Sequence, residues 1–431
     1  SSLGGFLPTR RLKGDSLTIP PLTVFERLLQ DTSDRKISTT QALVQAMTLL
    51  CRDENIGQRV VPIVPDEART FGMEGMFRQI GIYAHEGQKY EPVDRDQLMY
   101  YKENQSGQLL QEGITEDGAM SSWIAAATSY TNTGMQMIPF YIFYSMFGFQ
   151  RIGDLVWAAG DMQARGFLIG ATSGRTTLNG EGLQHEDGHS QIMAGNVPNC
   201  VSYDPTFSYE LMVILQDGMQ RMFKKQENVF YYITTMNENY PHPALSKGQE
   251  KDIVKGMYLF QKGKKGKTRV QLLGSGSILR EIIAAASLLE KDFKIQADIW
   301  SCPSFNELKR DGDEVSRWNL LHPDKKDRKC HVTQCLENTE GPVVAATDYV
   351  KLFADQIRAY VPRPYAVLGT DGFGRSDSRE ALRKHFEVDR YYITVAALNL
   401  LVGVKGISTE TVKSALKKYK IDLKKDNPLM S

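Results

Sequence analysis

Between Glu112 and Ser190 the chain carries three revealing pieces. They are Glu112-Gly113-Ile114-Thr115-Glu116-Asp117-Gly118, Pro139-Phe140-Tyr141-Ile142-Phe143-Tyr144-Ser145-Met146-Phe147-Gly148-Phe149, and Asn179-Gly180-Glu181-Gly182-Leu183-Gln184-His185-Glu186-Asp187-Gly188-His189-Ser190. Each piece puts polar or ionisable groups where an apolar run stops. Open α/β sheets handle ligands at that place, outside the carboxyl ends of the strands. Working outward, apolar strands are expected at 60–64, 109–114, 137–143, 166–170, 197–201 and 229–234. Helices are expected between them, including one from the Ser38-Thr39-Thr40 cap through Cys51 and others at 119–129, 152–159 and 209–222. This alternation predicts a mostly parallel sheet covered on both faces. Pro62 inside the first strand suggests an edge or irregular position. The intervening 70–108 lacks periodicity, which marks functional or mobile loops in compact domains.

After Asn239 the pattern weakens through Pro241, Pro243 and Gly248. It resumes with the strand Val270-Gln271-Leu272-Leu273, the turn Gly274-Ser275-Gly276-Ser277 and a helix with Ile278, Leu279, Ile282, Ile283, Ala286 and Leu289 at helical spacing. Further strands are expected at 295–300, 343–347 and 365–369, and two helices at 391–401 and 409–419. The fold class is therefore α/β, with two doubly wound domains. The expected division is an extended lead-in at 1–35, a first domain at 36–240, a linker at 241–267 and a second domain at 268–431.

Composition narrows the function. A chain of 431 residues exceeds one ordinary core, and 41% hydrophobic with 24% charged residues is ordinary for a globular protein. A net charge of +1 offers no global field for nucleic acid or acidic membrane. The basic runs Lys262-Gly263-Lys264-Lys265-Gly266-Lys267 and Lys417-Lys418-Tyr419-Lys420 read as solvated surface. Five scattered cysteines argue for a reducing compartment, and Cys330-His331 with Cys335 supply too few zinc ligands. No run approaches the ~20 apolar residues that span a bilayer, and no signal peptide is recognisable. The expected location is the cytoplasm.

Several motifs have a plain structural reading beside a functional one. Gly274-Ser275-Gly276-Ser277 lacks the third glycine of a dinucleotide fingerprint and reads as a tight strand-to-helix turn. Gly369-Thr370-Asp371-Gly372-Phe373-Gly374 could cradle an anion or supply positive-φ turns. His185-Glu186-Asp187-Gly188-His189 spells H-E-x-x-H, which binds zinc only on a helix, and Gly188 with Gly180 and Gly182 favours a loop. As a loop it gathers Glu181, His185, Glu186, Asp187 and His189, a density suited to proton transfer or to surface hydrogen bonding. Glu116 opens a helix, where a carboxylate can simply favour the N-terminus. Tyr144 and Phe147, beyond a strand end, are placed to flank a planar ring. Asp66 and Glu67, at another strand end, could instead pair with Arg69.

The Gly113-Ile114-Thr115-Glu116 element resembles the pyrimidine-binding domain of transketolase-like thiamine diphosphate enzymes. Four longer stretches narrow the resemblance to the homodimeric bacterial pyruvate dehydrogenases, the decarboxylating first components of the pyruvate dehydrogenase complex. They are the run from Pro65 to Gly75, that from Phe143 to Arg151, that from Leu178 to His189, and Gly369-Thr370-Asp371-Gly372-Phe373-Gly374-Arg375-Ser376. The resemblance implies a thiamine diphosphate pyrimidine-binding domain followed by a transketolase-like C-terminal domain. It implies that Glu116 hydrogen-bonds the aminopyrimidine nitrogen, that Phe147 stacks on that ring and that Ile114 supports the bent cofactor. It further implies that Asp66, Glu67, Tyr144 and Glu181 line the active-site channel, and that His185 assists acetyl transfer to a lipoyl arm.

The implied partners are pyruvate, the lipoyl domain of the dihydrolipoyl acetyltransferase component and a second copy in a homodimer, with no nucleic acid or membrane. The family holds diphosphate and Mg2+ through Gly-Asp-Gly on a separate N-terminal domain, and no such triplet occurs in these 431 residues. The chain is therefore expected to contribute no metal ligands and to be inactive alone. Gln191 stands where a histidine is expected. The alternatives are a non-catalytic assembly module of the same fold and, more distantly, a zinc protease.

Overall fold

The computed structural model describes residues 10–65, 68–405 and 407–431. The strands are β1 (Val60–Val64), β2 (Ile82–Tyr83), β3 (Glu103–Asn104), β4 (Leu110–Gln111), β5 (Ile138–Tyr144), β6 (Phe167–Ala171), β7 (Cys200–Tyr203), β8 (Phe230–Thr234), β9 (Tyr258–Gln261), β10 (Arg269–Gly274), β11 (Gln296–Ser301), β12 (Val343–Ala346) and β13 (Tyr365–Leu368). Six form one sheet in the order β4-β1-β5-β6-β8-β7, every pair parallel. Five form a second, β13-β12-β10-β11-β9, parallel except for the antiparallel β9 at its edge. Strands β2 and β3 make a small parallel pair.

Helices cover these sheets because the strands are apolar on both faces. β1, β6 and β8 are buried at every residue, as expected where helices flank a parallel sheet. The Thr39–Leu50 helix begins with the capping box foreshadowed by Ser38, whose hydroxyl accepts from Gln41 N while the Gln41 side chain returns to the Ser38 amide. Buried hydrophobic residues of both units, from Phe25 through β1, β5 and β8 to β10 and the Ile278–Phe293 helix, belong to one continuous cluster.

Two expectations change in detail. Pro62 lies in β1, which is the second strand rather than the edge. β4 pairs only with Ile63 and Val64, so the sheet is not continued beside Pro62 on that side. The strand expected at 109–114 shrinks to Leu110–Gln111, because Gly113 turns to φ +79° and releases the chain toward the next helix. The stretch before Val270, where no element was expected, supplies β9. The Phe305–Leu321 helix also has no counterpart in the sequence reading.

Candidate active-site edge

At the carboxyl ends of β1, β4, β5 and β6 the chain leaves the first sheet in loops that hold most of the candidate residues. Thr115 caps the Glu116–Ala127 helix by accepting from Gly118 N, which fixes Glu116 as its first residue. The Glu116 side chain is only 14% exposed, and its Oε1 lies 2.7 Å from Arg151 Nη1. Arg151 comes from the Phe149–Asp161 helix, and its guanidinium lies 4.2 Å from the centroid of the Phe147 ring. The same ring meets His185 edge-on at 5.2 Å, and His185 stacks on Tyr144 at 5.1 Å. Tyr144 also meets Phe71 edge-on at 5.4 Å. Glu181 Oε2 stands 4.0 Å from His185 Nδ1. Ile114 is 84% exposed, two residues before Glu116.

Glu116, Tyr144, Phe147, Glu181 and His185 are thus brought to one edge, with Ile114 beside them. Asp66 and Glu67 lie outside the described residues. Arg69 pairs with Asp94 and donates to Met99 O at 3.1 Å.

The segment 185–189 is not a continuous helix. A single 3-10 turn, Leu183–His185, precedes it, and the next helix starts at Ser190. Asp187 explains the break: its carboxylate accepts from His189 N at 3.0 Å, from Ser190 N at 2.9 Å and from the Ser190 hydroxyl. His189 turns away to Gln150, with Nε2 atoms 2.7 Å apart. The two histidines therefore do not share a helix face as a zinc protease needs. Among the described residues no group of three or more His, Cys, Asp or Glu side chains could hold a metal.

Glu186 points inward. Its Oε2 accepts from Arg375 N at 2.8 Å, whereas Oε1 is buried without a hydrogen-bond partner. Burial pushes its carboxyl up to about 8, against the pull of the Arg375 amide. Arg175 donates to Gly372 O, so the loop after β13 is clamped to the loop carrying His185. Gly374 allows this approach: a Cβ there would come within 2.4 Å of Leu183 O.

Sequence reasoning gave no role to Arg151, Arg175 or the Glu186–Arg375 contact. Arg151, Glu186 and Arg375 lay inside stretches already notable for their motifs, whereas Arg175 carried no signal. Gln191 is buried and donates to Tyr203 O at 2.9 Å and Thr234 Oγ1 at 3.0 Å, a fixed structural setting.

Comparison with known proteins gives the family. Residues 21–243 match the pyruvate dehydrogenase E1 component middle domain, and residues 256–389 match the transketolase-like C-terminal domain. The chain belongs to the pyruvate dehydrogenase E1 component family. It is 61% identical over 431 residues to the pyruvate dehydrogenase E1 component of Cupriavidus necator, covering 99% of this chain and 48% of that protein. To the Escherichia coli K12 protein of the same name it is 56% identical over 432 residues, covering 100% and 48%. The chain thus spans about half the length of these relatives.

Among solved structures, transketolase from Leishmania mexicana superposes with a TM-score of 0.65 at 15% identity, over 90% of this chain and 49% of that one. A split-gene transketolase chain, described as an inactive beta4 tetramer, superposes with a TM-score of 0.56 at 16% identity, over 85% of this chain and 98% of that one. These two likenesses speak for the E1 component chain's fold. No described helix is long and apolar enough to cross a membrane.

Proposed function

We propose that this chain is the C-terminal part of a pyruvate dehydrogenase that decarboxylates pyruvate on thiamine diphosphate and passes the acetyl group to lipoyl groups of the acetyltransferase component. The observation that carries this reading is the Glu116 edge: a mostly buried carboxylate, a ring wall and an exposed aliphatic residue side by side. These fit the aminopyrimidine half of the cofactor, which needs a carboxyl group to share a proton with a ring nitrogen, an aromatic face and apolar support. When bound, thiamine diphosphate supplies the electron sink for loss of carbon dioxide.

The chain's own residues then divide the work. Glu116 holds the ring nitrogen through a charge-assisted hydrogen bond, worth about 1.5–3 kcal/mol net, and holds a proton at that atom. To do so it parts from Arg151. That pair is half exposed on its arginine side, so its loss costs only about 0–1 kcal/mol. Phe147 offers a ring face once the Arg151 guanidinium moves aside, and Ile114 supports the cofactor's bend. Tyr144 and Glu181 line the approach of pyruvate. His185 holds or moves a proton as the acetyl group leaves for the lipoyl arm. Its Nδ1 is buried with no hydrogen-bond partner among the described residues.

The pyrimidine-binding role falls to a domain of about 36–240, and the C-terminal domain begins near 268. Diphosphate and Mg2+ would be held by residues outside these 431, in a homodimeric, cytoplasmic enzyme. The exposed apolar residues Ile114, Leu183 and Phe373 would then be covered by that part. The chain alone would be inactive, a state that the split-gene transketolase chain of similar fold is described as having.

Pyruvate-dependent carbon dioxide release with magnesium and thiamine diphosphate tests this reading. The chain would be assayed alone and mixed with the N-terminal half of a relative. Release only in the mixture is the expected result. No release from a mixture shown to assemble would leave a non-catalytic assembly module.

A further inference from the structure

A cavity of about 470 Å³ opens where the final helices of the second unit meet the first. Its walls carry Arg280, Arg379, Arg383 and Arg390 with the carboxylates Glu238 and Glu281. Glu238 accepts from both Arg280 and Arg383. Glu281 takes Arg390 in a forked pair, Nε to Oε2 and Nη2 to Oε1, each 2.9 Å, and stands 3.6 Å from Arg383. Two carboxylates therefore serve three guanidinium groups. The fourth guanidinium, on Arg379, pairs with no carboxylate among the described residues, and its Nε donates to the carbonyl oxygen of Thr177.

The remaining acids do not redress this balance. Asp389 accepts from the Tyr391 and Tyr392 amides, each 2.9 Å from Oδ1, and its charge also acts on Arg390, yet the five cations of the lining still face only four carboxylates. Glu380 and Lys384 are both exposed and offset one another. Burial lowers the Arg379 pKa, Glu238 raises it, and the neighbouring Arg383 and Arg280 lower it further. A partly buried cation among cations is costly until a counter-charge arrives.

We propose that this cavity binds a small phosphate-bearing anion through Arg379, flanked by Arg280 and Arg390. Guanidinium forks match the clustered oxygens of a phosphate better than a single carboxylate does. The volume falls within the range of small-molecule sites, roughly 300–1,000 Å³, so a phosphate ester or diphosphate fits better than a lone phosphate. The rings of Tyr391 and Tyr419, 5.0 Å apart and tilted by 39° to each other, offer aromatic faces for an attached base. The site also touches the root of the loop bearing His185. Arg383 Nε lies 3.3 Å from Thr176 Oγ1, Arg379 holds Thr177, and Gly180 N donates to Asp377 O at 3.0 Å. The proposal stands apart from the reading of the Glu116 edge.

Calorimetric titration of the 431-residue chain with inorganic phosphate, inorganic pyrophosphate and adenosine diphosphate, without magnesium, tests it. Hydrogen exchange would localise the response. The expected result is saturable binding at one site, weakened about tenfold or more by Arg379→Gln and unchanged by Lys264→Gln in the distant basic run. Protection should appear at 176–180 and 377–383. Tighter binding of adenosine diphosphate than of pyrophosphate would identify a nucleotide site, and equal binding a site for the phosphates alone. If Arg379→Gln fails to fold by its melting transition, Arg390→Gln carries the same expectation. The proposal is overturned if none of the three anions saturates by about 10 mM, or if the arginine substitution leaves affinity unchanged.

Discussion

The carboxyl ends of the strands are put to two different uses. Those of β1, β4 and β5 open on the edge holding Glu116, Tyr144 and Phe147, beside the loop that carries His185. Those of β7, β8, β10 and β12 meet one another in a seam between the two sheets. There Asp204 accepts from Thr234 Oγ1 and Ser275 Oγ, each at 2.8 Å, and Asp348 accepts from Thr176 N and Ser277 Oγ, each at 3.3 Å. Both places concentrate acids where strands end. They differ in what completes them: the seam is filled by the chain's own hydroxyls and amides apart from Asp348 Oδ1, which is buried without a hydrogen-bond partner, whereas the edge leaves apolar and aromatic surface uncovered. Position at a strand end alone does not make a reactive site; incomplete satisfaction facing outward does.

Substitutions should separate the two regions. The largest stability effect is expected from Asp204→Ala, which removes the shared acceptor of the Thr234, Ser275 and Tyr349 hydroxyls in the seam. About 1–3 kcal/mol should be lost, read from denaturant midpoints at constant slope. An unchanged midpoint would mean that the seam does not hold the sheets together.

Asp348→Asn should act through pH. Burial pushes the Asp348 carboxyl up to about 7 from an ordinary 3.8, against the pull of Arg383 and Thr176. A raised folded-state value means that the folded chain binds the proton more tightly than the unfolded chain does. That contribution is fully present below about pH 4 and is lost as pH rises through about 7. The parent should therefore lose stability relative to Asp348→Asn across this window, and parallel melting curves would refute the assignment. The smallest effect is expected at the edge: Arg151→Met should change stability by about 0–1 kcal/mol, and a larger loss would make the Glu116–Arg151 pair structural.

Much of this arrangement was legible in the sequence because its signals are local. Apolar runs at 109–114, 137–143 and 197–201 marked strands, Glu116 marked a helix opening, and Gly188 argued against a helix through the paired histidines. The long resemblance around Glu116 and His185 then supplied candidate roles. What stayed hidden depends on distant contacts. Arg151 reaches a carboxylate 35 positions away, and Glu186 accepts from an amide 189 positions away; no spacing rule encodes either. The Phe305–Leu321 helix escaped notice because only Phe305, Asn306, Leu308 and Gly312 are buried, all in its first half, while charged residues crowd 307–314 and interrupt any apolar period.

The most direct test of the account is to compare cofactor affinity with turnover in the assembled enzyme, for the parent and for Glu116→Gln. Calorimetry gives the dissociation constant of magnesium thiamine diphosphate, and carbon dioxide release gives kcat. If Glu116 acts on the bound ring, kcat should fall roughly a hundredfold to ten-thousandfold, while the dissociation constant rises only about tenfold. Full turnover by Glu116→Gln would contradict the central claim that this carboxylate organises the half-site.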